Sequence, residues 1–272
     1  MTQPTWENFG THDESAYPEL WDGVIGAWAP CLGPTGSRLH DHSRRANWGT
    51  LTNMDNATDW VVDGGQYALD FDGVDDEVTA LVPAGIAGAT SLSYSLWFRR
   101  KTINVLGPFF GVGVASSENN RFVFQAWSDT QIYVATAAST WGNFTSNDLL
   151  WHHIVISYNG NGGSNATRLQ VYFDGKPQSL SFTGTIGATI GTPTSLRIGR
   201  THTAANAYGS GIMDDLQIRL RTTSANEAAQ LYQLGRGGMY QRRRRLAIYL
   251  PQAGFKAAWA RGSNVMLGFN QP

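Results

Sequence analysis

Residues 169–178, LQVYFDGKPQ, alternate apolar and polar side chains and then turn at Asp174-Gly175. On a strand, successive side chains point to opposite faces. Leu169, Val171 and Phe173 therefore share one face, and Gln170, Tyr172 and Asp174 the other. The same period recurs along the chain. Leu92, Tyr94, Leu96 and Phe98 alternate with serines, Trp97 and Arg99, and Ile154 and Ile156 alternate with Val155 and Ser157. RFVFQAW, QIYVATA, SLRIGR and DDLQIRL are further short runs bounded by turn residues. Many short runs of period two predict an all-β sandwich or barrel. The Gly/Asn stretch 159–166, NGNGGSNA, reads as the flexible loop of a hairpin, because these residues tolerate positive φ.

Composition agrees. The chain has 272 residues with 31 Gly, 12% aromatic and only 15% charged residues, which suits a turn-rich β protein and not a disordered one. The formal net charge of −1 gives no global field toward nucleic acid or membrane, so a nucleic-acid partner is not expected. No apolar run approaches the roughly 18 residues of a membrane span. The opening residues show no secretion leader, so the expectation is synthesis in a cytoplasm. Cys31 is the one cysteine and has no internal disulfide partner; it reads as a small buried hydrophobe. One helix is predicted near the end: Ser224 and Glu227 form a capping box ahead of AAQLYQL, and Gly235 stops it.

Three clusters invite chemistry. His152 and His153 are adjacent, so on a strand they face opposite ways and do not chelate one ion together. Asp72, Asp75 and Asp76 crowd one turn, and Asp214 and Asp215 sit in GIMDDL. Carboxylates from two loops, with backbone carbonyls, suit Ca²⁺, which takes six to eight oxygens. The competing reading is that these aspartates cap turns. Arg242, Arg243, Arg244 and Arg245 precede an apolar stretch containing Phe255 and Trp259, which reads first as an arm that docks on a neighbouring subunit, next as a solvated face and last as a contact for nucleic-acid phosphates. No Glu-x-Asp-x-Glu triplet, nucleophile elbow, P-loop or dinucleotide fingerprint is present, so the chain is not expected to be an enzyme.

In order along the chain, GVIGAWAP, DHSRRANWGTLTN, ALDFDGVDDEV, SLSYSLWFRR, WHHIVISYNG, LQVYFDGKPQ, LRIGR and GIMDDLQIRLRTTSANEAAQLY resemble the laminin-G-like, pentraxin-like branch of the concanavalin A-type lectin/glucanase jelly rolls. The resemblance covers about residues 20–236 and implies two antiparallel sheets, one short helix near the end, and mostly non-catalytic members, many with calcium near such acidic loops. It divides the chain into an N-terminal arm (1–20), a jelly-roll domain (21–238) and a C-terminal extension (239–272). The expectation is a structural or adhesive virion protein, a phage capsid decoration or tail-associated component made in the host cytoplasm and docked through its arms to other subunits. The alternative is a stand-alone carbohydrate-binding module, calcium-dependent or not, that grips surface glycans with exposed aromatics such as Trp127 and Trp141.

Overall fold

The computed structural model describes residues 17–103, 105–114, 120–127, 130–202 and 207–240. The expected arm residues Arg242, Arg243, Arg244, Arg245, Phe255 and Trp259 lie outside the described residues. In chain order the first strands are β1 (Val24–Trp28), β2 (Arg38–Leu39), β3 (Gly49–Thr52), β4 (Trp60–Asp63), β5 (Gln66–Asp72) and β6 (Glu77–Ala80). Next come β7 (Ser91–Arg100), β8 (Phe109–Gly113), β9 (Phe122–Ala126), β10 (Gln131–Ala137), β11 (Thr140–Thr145) and β12 (His152–Asn159). The last are β13 (Leu169–Phe173), β14 (Lys176–Gln178), β15 (Ser181–Thr183), β16 (Ser195–Ile198) and β17 (Ser210–Arg219). Among the described residues three α-helices accompany them: α1 (Pro18–Trp21), α2 (Asn165–Arg168) and α3 (Ala225–Leu234).

The strands form two open antiparallel sheets. The eight-stranded sheet runs β14-β13-β12-β7-β17-β5-β4, with β1 also on β17; the nine-stranded sheet runs β15-β11-β10-β9-β8-β16-β6-β3-β2. The predicted alternation sets which side chains meet. Leu92, Tyr94, Leu96 and Phe98 of β7 join Ile154, Ile156 and Tyr158 of β12 in the main core, facing Phe110, Phe122, Phe124, Ile132 and Val134 of the other sheet. Register is fixed because a one-residue slip would turn this whole set to the wrong face.

The outer face of the eight-stranded sheet carries a second cluster. Val155 and Tyr172 pack there with Ala228 and Leu231 of α3, and with Tyr17, Leu20, Trp21, Met239 and Tyr240. Among the described residues, buried packing thus includes Tyr17, ahead of residue 21, and Tyr240, beyond residue 238. Ser224 accepts from the backbone N–H of Glu227, whose carboxylate accepts from Ser224 N–H in return, and Gly235 ends α3 with φ 73°. Asp174 and Gly175 make their turn with φ 49° and 73°, the left-handed pair of a tight hairpin turn. The stretch 159–166 differs from expectation: it is not all loop. Ser164 and Thr167 form a capping box that starts α2, because their hydroxyls satisfy local backbone groups. Among the described residues no helix is long and apolar enough to cross a membrane.

Candidate functional site

Ile132 and Val134 of β10 point into the core. By period two, Gln131, Tyr133 and Ala135 point outward from the nine-stranded sheet. Ala135 pairs with Trp141 on β11, and Trp127 follows β9 and donates its backbone N–H to Gln131. Three rings therefore line up diagonally across neighbouring strands. Trp127 and Tyr133 meet edge-on with centroids 6.1 Å apart, and Tyr133 and Trp141 do the same at 5.9 Å. Trp127 is 39% exposed, and Tyr133 and Trp141 are half-buried. Trp141 rests on a small outer cluster of Phe109, Val123 and Ala135.

A polar strip borders the rings. Asn143 Nδ2 donates to Gln131 Oε1 at 2.8 Å, and Gln131 Nε2 donates to Thr145 Oγ1 at 2.9 Å. These bonds fix the amide orientations, so Asn143 turns its acceptor Oδ1 away from the chain of bonds. Opposite Tyr133, Gln125 is buried, yet its Nε2 has no hydrogen-bond partner among the described residues. A buried donor without a partner costs about 1–3 kcal/mol, so this amide favours any acceptor brought to it. Underneath, Arg100 donates to the carbonyls of Trp127 and Gln131, both at 2.8 Å, and ties the turn between β9 and β10 down.

Sequence reasoning singled out Trp127 and Trp141 but not Tyr133, Gln131, Asn143 or Gln125. The parity of QIYVATA would have found Tyr133 and Gln131. Nothing local marks Gln125, whose place depends on pairing with β10.

Of the five aspartates proposed for calcium, the structure brings three together. Ligand oxygens of Asp72, Asp75 and Asp76 lie within 4.8 Å of one another. Asp72 Oδ1 accepts from the N–H groups of Val74 and Asp75, and Asp76 Oδ2 accepts from Asp72 N–H, so the turn is also capped by its own carboxylates. Burial, then the charges of Asp59, Asp72 and Asp75, pushes Asp76 up to about 6. Burial also acts to raise Asp72, but the backbone N–H donors outweigh it and hold it below the usual range. Crowded carboxylates that repel one another fit a cation, which would be held by Asp72, Asp75 and Asp76.

Asp214 and Asp215 do not join that group. Both lie deep on β17, where the pairing with β7 shifts register between Asp214 and Gln217 and Asp215 takes φ 49°. Asp214 accepts from Cys31 N–H at 2.9 Å, and Asp215 accepts from Gln217 Nε2 at 2.7 Å and Gly237 N–H at 3.1 Å. Burial, then the charge of Asp215, pushes Asp214 up to about 7. These carboxylates fasten the outer cluster together. Beside them the Cys31 thiol is pushed far up by burial and by both acids, which disfavours its thiolate.

The two histidines separate as expected. His152 stacks on Phe173 at 4.4 Å at the rim of the core, and His153 packs on the other face against Trp97 at 5.1 Å under Tyr232 of α3. Burial drives His153 down to about 3, so it stays neutral and bonds Ser95.

Solved structures share this architecture. The binding domain of botulinum neurotoxin DC in complex with SialylT is 14% identical with TM-score 0.53, covering 79% of this chain and 52% of that one. Domain 4 of AbnA, a GH43 extracellular arabinanase from Geobacillus stearothermophilus, in complex with arabinotriose, is 18% identical with TM-score 0.54, covering 77% and 98%. Trypanosoma rangeli sialidase in complex with sialic acid is 16% identical with TM-score 0.58, covering 78% and 33%. The chain thus spans about half of the toxin domain and a third of the sialidase. At such identities the likeness is one of fold. No curated protein matches in sequence. The family model Laminin_G_3 matches residues 71–229, across β6 to β17 and the first half of α3, and by that match the chain belongs to the concanavalin A-like lectin/glucanases superfamily.

Proposed function

We propose that this protein is a non-catalytic glycan-binding protein that takes its ligand on the outer face of the nine-stranded sheet. The observation that carries this reading is the row Trp127–Tyr133–Trp141, flanked by the oriented amides of Gln131 and Asn143. Exposed rings cover the apolar faces of sugars, and fixed amides exchange hydrogen bonds with their hydroxyls. Structural neighbours solved with arabinotriose and with sialic acid support the reading at the level of fold.

The test is a glycan array followed by titration with arabinotriose and a sialylated trisaccharide. Trp127→Ala and Trp141→Ala are each expected to weaken the retained glycan about tenfold or more, since aromatic anchors carry upward of about 1.4 kcal/mol. Full affinity in both variants, or an array without hits, would sink the proposal.

We further propose that the Asp72 turn takes a structural Ca²⁺. Calcium at a hundredfold excess over its Kd should then stabilise the fold by about 2.7 kcal/mol, an effect reversed by chelator. A melting temperature unmoved by either addition rules it out. The virion role stands as a proposal of the sequence alone, since its arm residues lie outside the described residues.

A further inference from the structure

His152 opens β12 with its imidazole between two carboxylates. Nδ1 lies 2.8 Å from Asp174 Oδ2 and Nε2 lies 2.7 Å from Asp148 Oδ1. Only an imidazolium donates from both nitrogens; a neutral ring would set a lone pair against one carboxylate. The geometry is therefore that of a charged clamp. It joins two otherwise separate segments, the 146–151 connection between β11 and β12 and the Asp174 turn between β13 and β14.

Other groups face the clamp from every element packed on it. Phe98 of β7 and Phe173 of β13 enclose the ring. Asp174 Oδ1 also accepts from His153 N–H, and Asp148 Oδ1 also accepts from Leu150 N–H. Burial acts to raise Asp148, but the Leu150 N–H, the pairing with His152 and, last, the charge of Arg100 outweigh it and hold the carboxyl below its usual range. Arg100 in turn bonds the carbonyls of Trp127 and Gln131. The 146–151 connection is tied to the same place by Ser146 N–H donating to Thr130 at 2.9 Å. His152, through Asp148 and the Ser146–Thr130 bond, and Arg100, through the Trp127 and Gln131 carbonyls, thus both reach the Trp127 end of the aromatic row.

We infer that His152 is a positioning residue for Trp127, and that ligand binding on the aromatic face is for this reason proton-linked. The inference rests on the glycan reading for its ligand, but the coupling between His152 and Trp127 does not. The direction follows from the clamp. Burial alone would lower the pKa of His152; its bonds to Asp174 and Asp148, and their charges, outweigh that and raise it. A histidine raised in the folded state contributes stability that is full below its ordinary value and is lost as pH rises through the folded value. Trp127 is accordingly held firmly below the ordinary histidine value, and loosened as pH rises through the raised value of His152.

The experiment follows the ring signals of His152 and the indole N–H signal of Trp127 by NMR in the full chain. The pH is carried from two units below to two units above the ordinary histidine value of about 6.5. The Trp127 signal is expected to move with the His152 midpoint, which lies above that value. His152→Gln and Asp148→Asn should each abolish the Trp127 step; the second keeps the imidazole in place if the first folds poorly. Affinity for the glycan retained by the array should fall several-fold across the same step in the unaltered chain and stay flat in both variants. A Trp127 signal that stands still while His152 titrates overturns the inference, as does an affinity indifferent to the step. If Trp127 follows His152 but no glycan is retained, the positioning role stands and the glycan reading fails.

Discussion

A chain ending at Gly238 should melt roughly 10 °C below one ending at Gln241, although only three residues separate them; the loss corresponds to about 4 kcal/mol at 2–4 °C per kcal/mol for a domain of this size. Tyr240 is 4% exposed. Its ring meets Trp21 edge-on at 5.5 Å and His42 at the same distance. Met239 Sδ and Tyr240 Oη both take donation from Gln217 Nε2, and Met239 Sδ also from Arg219 Nη2. Arg219 is wholly buried; its Nε donates to the Leu20 carbonyl and its Nη2 to Gln217 Oε1. Removing Met239 and Tyr240 opens a cavity and strips partners from a buried guanidinium, and both cost stability. Thermal unfolding of the two chains decides it; equal melting temperatures would mean the segment 239–240 does not hold the outer cluster. The chain ending at Gln241 is also the one with which to test the virion proposal, because it removes the Arg run and the apolar stretch and keeps the sandwich. Normal incorporation of that chain into particles would end the docking-arm idea.

Gly199→Ala is expected to cost about 2–5 kcal/mol, summing a left-handed penalty of about 1–2 and an overpacking penalty of about 1–3. Gly199 has φ 82°, which a residue with a Cβ adopts only under strain. The added methyl would press into the ring of Phe71 and lie 3.1 Å from the Asp76 carbonyl. Phe71 is 1% exposed in the main core and has no room to retreat. Both the core and the acidic turn are therefore disturbed at once. Chemical denaturation measures the loss. An Ala variant as stable as the unaltered chain would show that the backbone at 199 relaxes freely.

Much of the fold was legible because its cause is local. The alternation in 92–98, 154–157 and 169–173 depends only on neighbouring residues, and each of these stretches became a strand with the expected face inward. Ser224 and Glu227 announced α3 for the same reason: a capping box closes within four residues. The opposite facing of His152 and His153 followed from strand geometry alone.

The site was only half legible. Trp127 and Trp141 stood out as large rings in turn-bounded runs, but their union through Tyr133 depends on the register of β9, β10 and β11. The five aspartates looked alike in sequence. Tertiary structure separated them, leaving Asp72, Asp75 and Asp76 at a turn and burying Asp214 and Asp215 beside Cys31 and Gly237, partners 183 and 22 residues away. His152 likewise meets Asp174 only because β12 and β13 pair. The sequence by itself determined which residues alternate, where the chain turns and where α3 begins, since those choices are settled by near neighbours. Which rings share a face, which acids are buried and which carboxylates grip His152 were decided by strand pairing and burial, because contacts between distant residues exist only once the two sheets have closed on their common core.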